Sequence, residues 1–271
     1  MAFYVLVIGN NLRDVFNKLD RGKDIMRYRE KIFICGNYLE SEYFPILESE
    51  AKKARSEKIK ETTKKMQNLN DKNRVKNVIR LANTNFTEND LFVTLSYTNL
   101  TLPKTLEEAK KKLSNFLKRL RRRLKKEGLP QLKYIAVTQF GEKKNRIHHH
   151  LIISGDLSRD VVEKLWIKSE KGICNTQKLQ FNEFGVEGLV RYMLKGAVGY
   201  KKVTRSRNLI QPKPIINDFK YSKRKIYDLA NSQGGVELEE EFKGYKVTKF
   251  DSVVNEVLDV AYISVKMKRI E

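Results

Sequence analysis

Lys133–Ser154 reads KYIAVTQFGEKKNRIHHHLIIS. Its two ends are rich in β-formers, and the polar stretch Gly141–Asn145 between them suits a turn, so the segment reads as an antiparallel hairpin. Side chains along a strand alternate between two faces. In the second strand, Arg146–Ser154, His148 and His150 therefore share one face and His149 points to the other. These are all three histidines of the chain. By the strand rise, His148 and His150 stand about 7 Å apart along the backbone, close enough for both imidazoles to converge on one divalent cation.

The flanking sequence places this hairpin in a sheet. Leu91–Tyr97 (LFVTLSY) alternates as a strand does. Thr105, three residues before Glu108, forms a capping box that opens a helix. Leu106, Ala109, Leu113, Phe116, Leu117, Leu120 and Leu124 then recur every three or four residues as one apolar stripe. Lys110, Lys111, Lys118, Arg119, Arg121, Arg122 and Lys125 make the opposite face basic, and Gly128 and Pro130 end the helix. After the hairpin, Ser158–Lys168 reads as a helix, Gln177–Phe181 as a short strand and Gly185–Val198 as a helix. The order β-α-β-β-α-β predicts an α+β fold. Its centre is a ferredoxin-like (split β-α-β) antiparallel sheet with helices packed on one face and extra terminal strands and helices.

We divide the chain into an accessory strand and helical region (1–90), a core (91–212) and a C-terminal extension (213–271). In the first part, Glu30–Tyr38 is strand-like and closes at Gly36-Asn37. Glu48–Ala82 is basic and free of Gly and Pro, as one or two exposed helices would be, its lysines mostly a solvated face. In the last part, Phe242–Phe250 and Val260–Met267 alternate and are expected to add edge strands.

Composition narrows the function. The 271 residues are 40% hydrophobic, enough for a core, and carry a net charge of +22. Such a surface attracts polyanions, of which nucleic acid is the commonest in a cell. No apolar stretch approaches a bilayer span and no lipidation motif is visible, so no membrane partner is expected. Met1–Asn10 lacks a basic leader and a small-residue cleavage site, so no signal peptide is read. Cys35 and Cys174 lack metal-ligand spacing and suit free thiols in a reducing cytoplasm. The absence of a GxxxxGK[ST] run argues against a nucleotide-driven motor.

A single histidine on a strand is more often a satisfied side chain than a ligand, and three in a basic chain also suit phosphate contact. Two same-face imidazoles favour a metal when a third donor stands near. Gln139 on the neighbouring strand and Glu142 in the turn are both placed for this. Such a set leaves coordination positions open, as a Lewis acid requires. A nucleophile is available in GVEGLVRYMLKGAV (Gly185–Val198), where Tyr192 and Lys195 are three apart, hence neighbours on a helix face. A phenol attacks as the phenolate, which an ammonium or a metal favours. Gly196 and Gly199 would let a polymer backbone approach this face. The plain alternative is that Tyr192 is one of twelve tyrosines, half-buried on a helix.

Over Phe86–Pro212 the chain resembles the HUH endonucleases, specifically the rolling-circle replication initiators of phages and small plasmids. The resemblance rests on FVTLSYTN (Phe92–Asn99), RIHHHLIIS (Arg146–Ser154) and YMLK (Tyr192–Lys195), in that order, with SRNLIQP (Ser206–Pro212) downstream. It implies His148 and His150 as metal ligands, with His149 structural at the intervening hydrophobic position and replaceable by Val or Ile. Gln139 would be the third ligand to Mg²⁺ or Mn²⁺, where many members have Glu. Tyr192 would be the nucleophile and Lys195 its companion. Relatives with two catalytic tyrosines carry the second where this chain has Gly196, which implies a single-tyrosine enzyme, with Tyr200 a lesser second candidate.

The implied activity is strand-specific nicking and joining of single-stranded or hairpin DNA at a replication origin, through a 5′-phosphotyrosine, in the host cytoplasm. A separate helicase and a host polymerase would be partners. Lys118, Arg121, Arg122 and Lys125 are expected to bind the DNA backbone, with Arg205 and Arg207 nearer the site. A relaxase or a single-strand transposase would use the same chemistry. A non-catalytic nucleic-acid-binding protein on a ferredoxin-like sheet would instead carry aromatics on its central strands.

Overall fold

A computed structural model describes residues 26–47, 64–141, 146–197 and 203–270. In chain order the elements are β1 (Met26–Cys35), β2 (Tyr38–Leu47), α1 (Lys64–Asn85), β3 (Leu91–Ser96), α2 (Leu106–Lys126), β4 (Tyr134–Phe140), β5 (Ile147–Ile153) and α3 (Arg159–Glu170). There follow β6 (Ile173–Lys178), α4 (Glu187–Leu194), β7 (Thr204–Arg205), β8 (Ile215–Asn217), α5 (Lys223–Asn231), α6 (Gly235–Glu241), β9 (Tyr245–Asn255) and β10 (Val260–Arg269). They form an α+β fold of two units, one spanning residues 81–211 and the other uniting residues up to 80 with those from 212 onward. Glu142, Gly199 and Tyr200 lie outside the described residues, as does the segment read for a signal peptide.

In the unit of residues 81–211 the sheet order is β6-β3-β5-β4-β7. All its neighbours are antiparallel. The first four strands have the ferredoxin-like arrangement expected from their order. Leu91, Val93 and Leu95 of β3 and Tyr134 and Ala136 of β4 share a core with α2 and α3. The stripe of α2 is buried from Ala109 to Leu124. Its start is capped, with Thr105 Oγ1 accepting from the Glu108 amide at 3.1 Å, while Glu108 accepts from the Lys104 amide. Glu107 and Glu108 in the first turn and Arg123, Lys125 and Lys126 in the last oppose the helix macrodipole.

Two boundaries differ from the sequence reading. β6 runs from Ile173 to Lys178 rather than Gln177–Phe181, because its buried positions are Cys174 and Thr176, which give little hydrophobic signal. The helix expected over Gly185–Val198 stops at Leu194, followed by Gly196 at φ +77°. That left-handed conformation suits glycine and does not continue a helix.

The other unit is an antiparallel sheet of order β8-β1-β2-β10-β9. The β1–β2 hairpin turns at Gly36-Asn37, with Gly36 at φ +63°. The two late strands do not extend the ferredoxin-like sheet: β10 lies inside this second sheet, paired with β2, and β9 is its edge. Helices α5 and α6, not foreseen from sequence, cover one face with Ile226, Leu229 and Leu238 against Tyr28, Tyr43 and Ile263. On the other face Arg80 of α1, only 4% exposed, pairs with Glu40 at 2.7 Å and Glu42 at 3.0 Å and lies over the Phe33 ring. Among the described residues no helix is long and apolar enough to cross a membrane.

Leu120 is fully buried at the centre of the α2 stripe. Leu120→Ala is expected to lower stability by about 2–5 kcal/mol, the usual range for a core leucine, read as a lower midpoint in urea unfolding.

Candidate active site

β5 is the strand that decides the site. Its register sets His148 opposite Gln139, His149 opposite Thr138 and His150 opposite Val137 on β4. On its other side His150 faces Thr94 and His149 faces Leu95 of β3. His149 turns into the core shared with α2 and α3. There its Nε2 is 2.7 Å from the Tyr97 hydroxyl and its Nδ1 2.9 Å from Thr138 Oγ1. Burial first, then the neighbouring imidazoles, depress its pKa to about 3. The structural role expected for His149 is thus polar as well as steric.

His148 and His150 stand on the opposite face, their ring centroids 4.9 Å apart. Burial lowers the His150 pKa to about 4, which keeps a neutral imidazole at neutral pH. His150 is 2% exposed, stacks on Phe92 and hydrogen-bonds Thr94 Oγ1 through Nδ1 at 3.1 Å. Its Nε2 is buried and has no hydrogen-bond partner. The His148 Nδ1 lies 3.2 Å from the Arg146 carbonyl, which can only accept, so the proton of a neutral ring sits on Nδ1. The Nε2 lone pair then points at Gln139 Oε1, 3.1 Å away.

The Gln139 amide cannot turn to relieve that contact. Its Nε2 donates to the carbonyls of Tyr192, Met193 and Lys195 at 2.5–3.2 Å, at the C-terminal end of α4. Two acceptors therefore face each other at His148 and Gln139, an arrangement satisfied by a proton on His148 or by a cation. With the unpartnered Nε2 of His150 beside them, three lone pairs are available to one divalent ion. The donors are two imidazoles and an amide oxygen; among the described residues no group of three His, Cys, Asp or Glu side chains is placed to hold a metal.

Helix α4 carries Tyr192 to this face. Its ring centroid is 5.0 Å from that of His150, its side chain is 55% exposed, and its hydroxyl makes no hydrogen bond with the described residues. The helix is held at both ends. At its start Asn83 accepts from the Val186 amide at 3.0 Å, and at its end Gln139 takes up the orphan carbonyls. Lys195 is the C-cap rather than a helical residue, so it does not share a helix face with Tyr192; it is exposed.

Residues 90–198 match the family model of the replication-associated protein ORF2. The match is consistent with a replication initiator and spans β3 to α4, taking in both imidazoles, Gln139 and Tyr192. No curated protein and no solved structure matches the chain.

The basic residues divide. On α2, Lys112 and Arg119 pair with Glu170 and Arg123 with Glu127. Lys118, Arg121, Arg122 and Lys125 make no ion pair with described residues, and all but Lys118 and Arg121 stand where no other side chain is bonded to them either. Arg205 and Arg207, expected nearer the histidines, are at the other end of β4. The chain after α4 returns along β4 and sets Arg205 opposite Ile135, about 13 Å along the strand from Gln139. Sequence reasoning missed Thr94, although it lies inside FVTLSYTN, and missed Asn83, which no motif marks.

Replacing Gln139 by Glu would turn a carboxylate oxygen toward three carbonyls. We expect Gln139→Glu to loosen the end of α4, seen as faster amide hydrogen exchange across Glu187–Lys195, with about 1–3 kcal/mol lost from stability. His149→Val orphans the Tyr97 and Thr138 hydroxyls, at about 1–3 kcal/mol each, in urea unfolding at pH 7. The unfolded chain protonates His149 near 6.5, whereas the folded protein resists down to about 3. The unfolded state binds more protons in that window, so stability should fall as pH drops below about 6.5. In His149→Val that fall should be smaller, measured as urea midpoints between pH 7 and pH 4.

Proposed function

We propose that this protein is a metal-dependent, strand-specific DNA nicking and joining enzyme of the HUH type that initiates rolling-circle replication. The observation that carries the reading is the face where His148 Nε2 and Gln139 Oε1 meet as acceptors at 3.1 Å. Beside them are the unpartnered His150 Nε2 and, 5.0 Å from the His150 ring, the ring of Tyr192. The match to a replication-associated family over this same segment supports it.

Mg²⁺ or Mn²⁺ held by His148, His150 and Gln139 would polarise a phosphate and offset its charge. Gln139 brings no negative charge, so this affinity is expected to be lower than with Glu. The chain's own residues do the rest. Tyr192, on a helix pinned at both ends, is positioned for in-line attack. Its oxygen bonds to phosphorus as the bond to the 3′ oxygen breaks; the phenol gives up its proton and the 3′ oxygen gains one. The products are a 5′-phosphotyrosine and a free 3′-OH that a host polymerase can extend. Attack by a 3′-OH on the phosphotyrosine reverses the step and joins strands. Lys195 offers a cation to the phosphate, and Lys118, Arg121, Arg122, Lys125, Arg205 and Arg207 hold the backbone. Affinity should fall by roughly 0.7 log unit per contacted phosphate per log unit of salt. Unwinding falls to a separate helicase. Gly196, at φ +77°, is a poor place for a second tyrosine, in keeping with a single nucleophile.

Labelled single-stranded oligonucleotides from the gene's own neighbourhood, incubated with Mn²⁺ or Mg²⁺, should give a covalent adduct that survives denaturation. Tyr192→Phe should abolish it. His148→Ala or His150→Ala should remove cleavage and leave salt-sensitive DNA binding largely intact. An undiminished adduct in Tyr192→Phe, or none with any such oligonucleotide, sinks the assignment.

A further inference from the structure

The four cations Arg121, Lys125, Arg205 and Arg207 line one cavity of about 730 Å³. It is built from two stretches far apart in sequence, the end of α2 with the loop into β4, and β7 with the loop after it. Three hydrogen bonds stitch these together. The Ser206 amide donates to the Tyr134 carbonyl at 3.0 Å and the Tyr134 amide to Ser206 Oγ at 3.1 Å. Asn208 Nδ2 donates to the Gln131 carbonyl at 3.2 Å. Arg121 is held over the Tyr134 ring and donates to its hydroxyl at 3.3 Å.

The lining combines two chemistries. No acidic residue lines the cavity. The other α2 cations Lys112, Arg119 and Arg123 are neutralised by glutamates, whereas these four have no carboxylate partner among the described residues. A concavity with such unbalanced charge selects an anion. Leu129, Pro130 and Tyr134 add an apolar and aromatic wall, which suits a planar ring. Phosphate joined to a planar base is a nucleotide, and the volume lies within the usual range of ligand pockets. Base stacking on aromatic and arginine side chains is a general mode of single-strand binding.

The cavity cannot serve the phosphate beside Tyr192. Tyr134 lies on the α2 face of the sheet and His148 and His150 on the other, and Tyr134 and Gln139 are about 17 Å apart along β4. We propose that this cavity binds one nucleotide of the DNA strand at a fixed distance from the cleaved phosphate, so that the enzyme selects its nicking position partly by spacing. The DNA source rests on the function proposed above; a free nucleotide would share the chemistry.

The test uses the full chain without added metal, so that cleavage plays no part. Single-stranded oligonucleotides carrying one 5-iododeoxyuridine are photo-cross-linked, and the attached peptide is mapped by mass spectrometry. Cross-links should concentrate in residues 129–134 and 205–208. Arg205→Ala/Arg207→Ala should remove them and lower the slope of log affinity against log salt by about 1, at roughly 0.7 per lost phosphate contact. Lys243→Ala/Lys246→Ala, exposed lysines outside the cavity, removes the same charge and should keep the cross-link. Cross-links spread over the surface, or equal effects of the two double variants, overturn the proposal. A deoxynucleoside monophosphate that competes as well as an oligonucleotide of equal concentration overturns the DNA assignment. Failure of the nicking function would instead show as a missing Tyr192 adduct, with the cross-link map unaffected.

Discussion

The site depends on the amide of one side chain, Gln139. Its NH₂ end is committed to the carbonyls that close α4, and its oxygen therefore has to face His148. A single planar group thus links the position of the helix that carries Tyr192 to the electrostatic state of the histidine face. Neither half of that link is adjustable on its own, because rotating the amide would trade three satisfied carbonyls for a relieved lone pair. A carboxylate at this position would donate to neither side. The presence of Gln rather than Glu is in this sense a packing requirement of α4 as much as a property of the cation face.

The histidine triplet divides along the same lines. His149 belongs to the core, neutral and hydrogen-bonded to Tyr97 and Thr138. His150 is almost as deeply buried, yet one of its nitrogens is left without a partner. Buried polar atoms in folded proteins are usually paired, so an orphan of this kind is evidence about what the face is for. Thr94 and Phe92 hold that ring in place, and the Arg146 carbonyl orients the ring of His148.

Much of this architecture is legible in the sequence where periodicity carries it. The α2 stripe, its Thr105 cap and the β4–β5 hairpin follow from apolar spacing and turn residues. The positions of His148 and His150 on one face follow from strand alternation alone. Elements with a weak hydrophobic signature escape such a reading: β6 buries Cys174 and Thr176, α5 opens on a basic stretch, and β7 is two exposed residues held by its pairing with β4. The late strands alternate as expected, yet their partners are β2 and each other, which pattern does not specify.

Residue identity and the local repeats of strand and helix suffice for the composition of the site: two same-face imidazoles, a nearby glutamine, a tyrosine downstream and a strongly basic surface. They do not say how these parts meet. Gln139 stands opposite His148 with its amide turned by α4, Tyr192 lies against His150, and Arg205 and Arg207 join α2 at the far end of β4. Register, helix docking and chain return settle those three facts, because each is fixed by contacts between residues many positions apart.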